Sequence, residues 1–211
     1  MVEIARKGRH RILSDEAILQ AALEAFAAEG YGAMSVRQLN ISLGLSHETV
    51  RQRFGSKREL YFAAVDFAIS SFFTLLFEER GILGDASSDL QDLRYIMRSF
   101  MTASIKFPLL AHLVNHEAIH TSDRLDYIFT TGFIPGMKFY AETLDRLVND
   151  EVIYPISARD AFFLVDGGLS PFAQVGLSRA FDAVSGPVDE CTQVDRFLDF
   201  VFRGLVKNPD A

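Results

Sequence analysis

The chain carries a single cysteine, no tryptophan and only six prolines in 211 residues. The lone Cys191 cannot form an intrachain disulfide or a paired-thiol metal site, which fits a reducing compartment. It has neither a resolving thiol nor a nearby cation before Arg196, so nothing marks it as a redox sensor. Positive charge is also scarce. With 21 Lys and Arg against 28 Asp and Glu, the net charge of -7 argues against a nonspecific nucleic-acid binder. No uncharged apolar stretch approaches the roughly 20 residues of a membrane span. Met1 is not followed by the apolar core of a signal peptide, so the expectation is a cytoplasmic protein without membrane contact. Nucleophile elbows, Walker loops, dinucleotide fingerprints and cysteine clusters are all missing. The sequence therefore requires no cofactor and points away from an enzyme.

What is present is helical. Strand patterns are nearly absent, and 49% hydrophobic residues suffice for a sizeable core. The segments, punctuated by Gly, Pro and Ser, predict an all-α fold of about nine helices. The charge is unevenly spread. Residues 1 to 60 hold nine Lys and Arg against seven Asp and Glu, whereas the remainder holds twelve against twenty-one. Arg6, Lys7, Arg9 and Arg11 flank Gly8 ahead of the first helix. Such a basic arm either follows phosphates or enters a minor groove, or it is a terminal tail with incidental charge.

The densest information lies between Ser35 and Lys57, SVRQLNISLGLSHETVRQRFGSK. Ser35 and Gln38 have the spacing of a capping box, and Val36, Leu39 and Leu43 form a short apolar stripe. Gly44 tolerates the positive φ that ends a helix, and Ser46 offers a new N-cap. Val50 and Phe54 share one face of the next segment, leaving His47, Glu48, Arg51 and Gln52 largely on the others. Ser56 and Glu59 form a further capping box. Two short amphipathic helices hinged at a glycine, the second with a polar outer face, make a helix-turn-helix suited to a major groove.

With a first helix over Ser14 to Glu29 and the pair Gly30-Tyr31, these residues resemble the TetR family of one-component transcriptional regulators. The match is strong over about residues 14 to 62, and Ile134-Pro135 and Tyr154-Pro155-Ile156 resemble patterns of some members. The resemblance implies a three-helix DNA-binding domain over residues 1–55 and a helical ligand-binding and dimerisation domain over 56–211. It also implies a homodimer through the last two long helices, a double-stranded DNA operator and a small-molecule effector. Departures fall on the DNA-facing surface. Arg51 stands where an aromatic is usual, Arg53 where His or Tyr is usual, and Glu48 where a small residue is usual, while Asn40 and Leu43 replace alanines. The residues expected to position phosphates are Arg37, Ser46, Thr49, Arg51, Arg53 and Lys57. His47, Glu48 and Gln52 are expected nearest the base edges, with Glu48 paired to a neighbouring arginine or reading cytosine.

Beyond the motif the spacing predicts a fourth helix from Ser56 to Glu79 broken by Gly81 and Gly84, and a fifth from Ser88 to Lys106. A sixth begins at Pro108, a seventh runs from Ser122 to Asn149 with a bend at Pro135-Gly136, an eighth runs from Ser157 to Ser178, and a ninth from Val188 to Val206. The last carries Val194, Phe197, Leu198, Val201 and Leu205 on one stripe. Such stripes build either a dimer interface or a monomer core. Nineteen phenylalanines suggest an aromatic-lined cavity for a small, largely apolar ligand, drawn from Phe100, Phe107, Phe129, Phe133, Phe139, Phe162 and Phe163 and oriented by His112, His116, Asn115 or Gln174. Ordinary core packing accounts for the same residues. His112, His116 and His120 share a helical face beside Glu117, but the third histidine lies about 12 Å along the helix from the first, too far for one metal ion. No metal site is therefore assigned. The remaining alternatives are a ligand-independent architectural DNA binder and a metal-dependent enzyme built on His112 and His116 with Asp126 or Asp166.

Overall fold

The computed structural model describes residues 13–119, 122–187 and 189–207. The basic arm at Arg6, Lys7, Arg9 and Arg11, the histidine at position 120 and the side chain of Cys191 lie outside the described residues. The chain divides into two compact units, the first closing at Phe67 and the second opening at Ala68.

The first unit contains α1 (Asp15–Ala33), α2 (Val36–Ser42), α3 (Thr49–Phe54) and the opening turns of α4 (Lys57–Ile82). Serines start three of these helices. The Ser14 hydroxyl accepts from the Ala17 N–H, and that of Ser35 from the Gln38 N–H. Ser56 and Glu59 cap reciprocally: the Ser56 N–H donates to Glu59 Oε2 at 2.7 Å, and the Glu59 N–H donates to Ser56 Oγ at 3.2 Å. The bond from the Ser56 backbone, then that from its hydroxyl, holds the Glu59 carboxyl below the usual range. Ile18, Leu23, Phe26, Val50, Leu60 and Tyr61 form the fully buried centre. Gly30 breaks α1 at φ 75°, which lets Tyr31 set its ring edge-on to Tyr61 at 5.3 Å.

The second unit is organised around α5 (Asp89–Lys106), which packs against α8 (Ile134–Asn149), α9 (Ala158–Ala173) and α12 (Glu190–Leu205). Leu93, Met97, Leu144, Val165, Leu198 and Val201 fill that junction. Arg94 and Arg98 on α5 pair with Asp199 and Asp195 on α12 at 2.6 and 2.9 Å. Gly168 brings α9 against α12 so closely that a Cβ there would overlap the Phe197 ring. Between these helices run α6 (Leu109–Ala118), α7 (Asp123–Ile128), α10 (Val175–Ala180) and α11 (Asp182–Ser185).

The described residues thus form twelve α-helical segments and one π-helical turn rather than about nine helices. Four boundaries move. Gly81 does not break α4, which runs to Ile82 and ends before Gly84 at φ 72°. The expected seventh helix is interrupted by a π-helical turn, Phe129–Phe133, in which the Ile134 N–H bonds the Phe129 carbonyl. Pro135 then sits in the first turn of α8, where its missing N–H costs nothing. The expected eighth helix stops at Ala173, because Gln174 adopts φ -107°, ψ 56°, and α10 follows. Finally, α3 starts at Thr49 with Glu48 at its N-cap position and no capping bond from the Glu48 side chain, so Ser46 is not the N-cap of this helix.

By length and composition alone α4 is apolar enough to cross a membrane. Asp66 interrupts its apolar run, and Leu60, Tyr61, Ala64, Val65, Ala68 and Phe72 on it are buried within the protein.

Candidate functional site

The turn between α2 and α3 is held by a residue whose role was not evident from spacing. Asn40 is fully buried. Its amide donates to the Val36 carbonyl at 3.0 Å and the His47 carbonyl at 3.1 Å, and its Oδ1 accepts from the Val50 N–H at 3.2 Å. Val50 is in the first turn of α3, where backbone N–H groups have no helical partner. Asn40 therefore supplies, from the preceding helix, the cap that Ser46 was expected to provide. Gly44 at φ 65° lets the chain reverse between the two helices. Ser46 and Thr49 exchange a hydroxyl hydrogen bond of 2.7 Å.

With Val50 turned inward, the opposite side of α3 is exposed. His47, Glu48, Arg51 and Gln52 stand on it and on the preceding turn, and Arg37 is exposed on α2. None of these five side chains is tied to another described residue by a hydrogen bond or ion pair; the anticipated pairing of Glu48 with an arginine is absent among the described residues. Arg53 is differently placed. Its guanidinium donates to the Leu13 carbonyl at 2.7 Å and pairs with Asp15, fastening the end of α3 to the start of α1. Lys57 donates to the Gly32 carbonyl at 3.2 Å and lies over the Tyr31 ring at 4.9 Å.

A separate cavity of about 310 Å³ lies within the second unit. Phe72, Phe73 and Phe77 from α4 line it, opposite Phe100 from α5, Phe133 from the π-helical turn and Phe162 from α9. Phe100, Phe133, Phe139 and Phe162 are thus brought together in one wall. Phe107 and Phe129 line a smaller neighbouring space of about 50 Å³ with Asn115 and Asp166. His112 and Gln174 face a third, more polar recess. Partial burial pushes the Asp166 carboxyl up. Phe163 does not line any of these spaces: it is 64% exposed on the outer side of α9. His116 is also absent from their walls. Glu117 is buried and accepts from Arg124 at 2.9 Å and Ser122 at 2.8 Å, so it fastens α6 to α7. Among the described residues no group of three His, Cys, Asp or Glu side chains could hold a metal ion.

Phe72, Phe73, Met97 and Tyr140 also line the cavity, and the sequence pattern did not single them out. The aromatic run Phe72-Phe73 was a visible signal. Tyr140 offered none, because its inward direction follows from how α8 packs.

Residues 18–64 match the family model for bacterial regulatory proteins, tetR family. Residues 18–64 thus form a TetR-family DNA-binding region. The fold of the chain agrees with solved structures. AibR, solved with isovaleryl coenzyme A and operator DNA, is similar at TM-score 0.69 and 16% identity over 89% of this chain and 97% of that one. KstR2 of Mycobacterium tuberculosis, a ketosteroid transcriptional regulator, gives TM-score 0.63 and 18% identity over 93% and 97%. PfmR from Thermus thermophilus, a TetR family transcriptional regulator, gives 0.60 and 20% over 89% and 97%. No curated protein sequence matches significantly. At these identities the fold is shared, while ligand and operator are matters for the residues of this chain.

Proposed function

We propose that this protein is a non-enzymatic, cytoplasmic DNA-binding regulator that acts as a homodimer, most simply a repressor released from a palindromic operator by a small apolar or aromatic ligand. The carrying observation is the exposed, internally unengaged set His47, Glu48, Arg51 and Gln52 on α3 and the turn before it, whose approach is fixed by Asn40. His47, Glu48 and Gln52 are assigned to base edges, and Arg37, Ser46, Thr49 and Arg51 to phosphates. Arg53 and Lys57, already engaged within the protein, are assigned to holding the helices in place. The dimer rests on the outward faces of α9 and α12, where Phe163, Leu164 and Phe200 are exposed. A twofold dimer doubles the contacts made in one association event.

The ligand reading rests on the Phe-lined cavity. Helix α4 begins directly after α3 and also supplies Phe72, Phe73, Leu76 and Phe77 to the cavity wall. A ligand that displaces α4 and binds the DNA-incompetent state a few kcal/mol more tightly lowers operator affinity on the order of 100-fold.

Arg51→Ala tests the DNA face. It is expected to weaken binding to all duplexes and to flatten the salt dependence by about one unit for each phosphate no longer neutralised, hence about two per dimer. Arg53→Ala should instead leave the salt slope near wild type. Fluorescence anisotropy across a salt series reads both, and an unchanged slope for Arg51→Ala would remove α3 from the interface.

A further inference from the structure

The cavity wall is hydrocarbon and thioether except at Arg80, Asp92 and Tyr140. The first two are engaged with each other and with their surroundings. Arg80 donates to Asp92 Oδ1 at 2.5 Å and to the Gly84 carbonyl at 2.7 Å, and its guanidinium lies over the Tyr95 ring at 5.2 Å. The pair neutralises its own charge, so neither member offers an uncompensated charge to a guest. Tyr140 differs. It is nine-tenths buried on α8, lines the cavity, and its hydroxyl makes no hydrogen bond to any described residue. That leaves the hydroxyl available to an acceptor on a ligand, which would gain a hydrogen bond that a hydrocarbon guest cannot make.

We propose that the effector is an uncharged, mainly aromatic or alicyclic molecule bearing a carbonyl oxygen, and that the Tyr140 hydroxyl donates to that oxygen. The inference rests on the cavity being the effector site, as proposed above. Burial pushes the Tyr140 phenol far up from its ordinary value, so the group stays a neutral donor at physiological pH. A carboxylate ligand would lose its hydration and find no unpaired cation among the described lining residues, which disfavours anions. At about 310 Å³ the space is at the small end for ligand cavities, which suits a compact guest.

Three probes test this on the full-length dimer: benzophenone, diphenylmethane, which lacks only the carbonyl oxygen, and 4-benzoylbenzoate, which adds an anion. Equilibrium dialysis is expected to show benzophenone binding wild type about tenfold tighter than diphenylmethane. Tyr140→Phe should bind the two alike while keeping wild-type affinity for diphenylmethane. Its melting temperature without ligand should not fall below wild type, because no hydrogen bond within the protein is removed. Benzoylbenzoate should bind wild type at least about tenfold more weakly than benzophenone. If diphenylmethane binds wild type as well as benzophenone does, or the preference survives in Tyr140→Phe, or the anion binds equally well, this assignment is overturned while the cavity reading stands. If neither neutral probe binds wild type, the cavity reading fails and the assignment fails with it.

Discussion

Replacing Asn40 by Ala is expected to cost about 2–3 kcal/mol of unfolding free energy and to abolish high-affinity operator binding. Hydrogen bonding sets both effects. Asn40 is fully buried and serves three backbone groups: the Val36 and His47 carbonyls and the Val50 N–H. Alanine satisfies none of them. The Val50 N–H, which is buried, then has neither a helical partner nor access to water. The DNA effect should exceed the stability effect, because the same bonds fix where α3 begins and thus where Arg51 and Gln52 stand. Asn40→Asp separates the parts: it keeps the acceptor for Val50 but loses the amide donor and buries a carboxylate between two carbonyl oxygens. It should therefore destabilise at least as much as alanine. Chemical denaturation followed by circular dichroism, with anisotropy on a bound duplex, reads both quantities. Wild-type stability together with wild-type DNA affinity in Asn40→Ala would refute this role.

Phe200→Glu is expected to convert the dimer to a folded monomer and to weaken operator binding by at least about 100-fold. Phe200 is 76% exposed on α12 while Leu198 and Val201 beside it are buried, so its side chain contributes little to the protomer's own core. Phe163 and Leu164 are exposed on α9, the helix that contacts α12 at Gly168. Aromatic residues of this kind are the usual anchors of an interface. Twofold symmetry places the change twice, so a loss of about 2 kcal/mol per protomer becomes about 4 kcal/mol per dimer, roughly a thousandfold in dissociation constant. Analytical ultracentrifugation at micromolar protein should show the monomer, with an unchanged helical circular dichroism spectrum. A variant that remains dimeric would place the interface elsewhere.

The parts of the fold visible in sequence were those set by a few adjacent residues. Ser14, Ser35, Ser88, Ser122 and Ser157 each accept from an N–H three residues on and start a helix where spacing placed it. Ser56 and Glu59 form the complete capping box that their separation implied. The misplaced features depend on distant partners. Ser46 looks like a cap locally, but Asn40, ten residues before Val50, fills that role once α2 and α3 pack. Pro135 indicated a disturbance, yet the chain absorbs it upstream as a π-helical turn, where Gly132 admits the Ile69 side chain. For the cavity, the abundance of phenylalanine was legible but its allocation was not. Phe162 and Phe163 are neighbours in sequence, and the rotation of α9 sends one into the cavity wall and leaves the other exposed.

The central claim is sequence-specific binding to DNA by a symmetric dimer. Its most direct test is selection of bound duplexes from a random pool by the purified full-length protein, with the mass of the complex measured alongside. Enrichment of a short inverted repeat, bound by one dimer or a pair of dimers, is expected, with the preference at one position per half-site relaxed in Gln52→Ala. No enrichment above the starting pool, or a complex containing a single protomer on an asymmetric site, would contradict it.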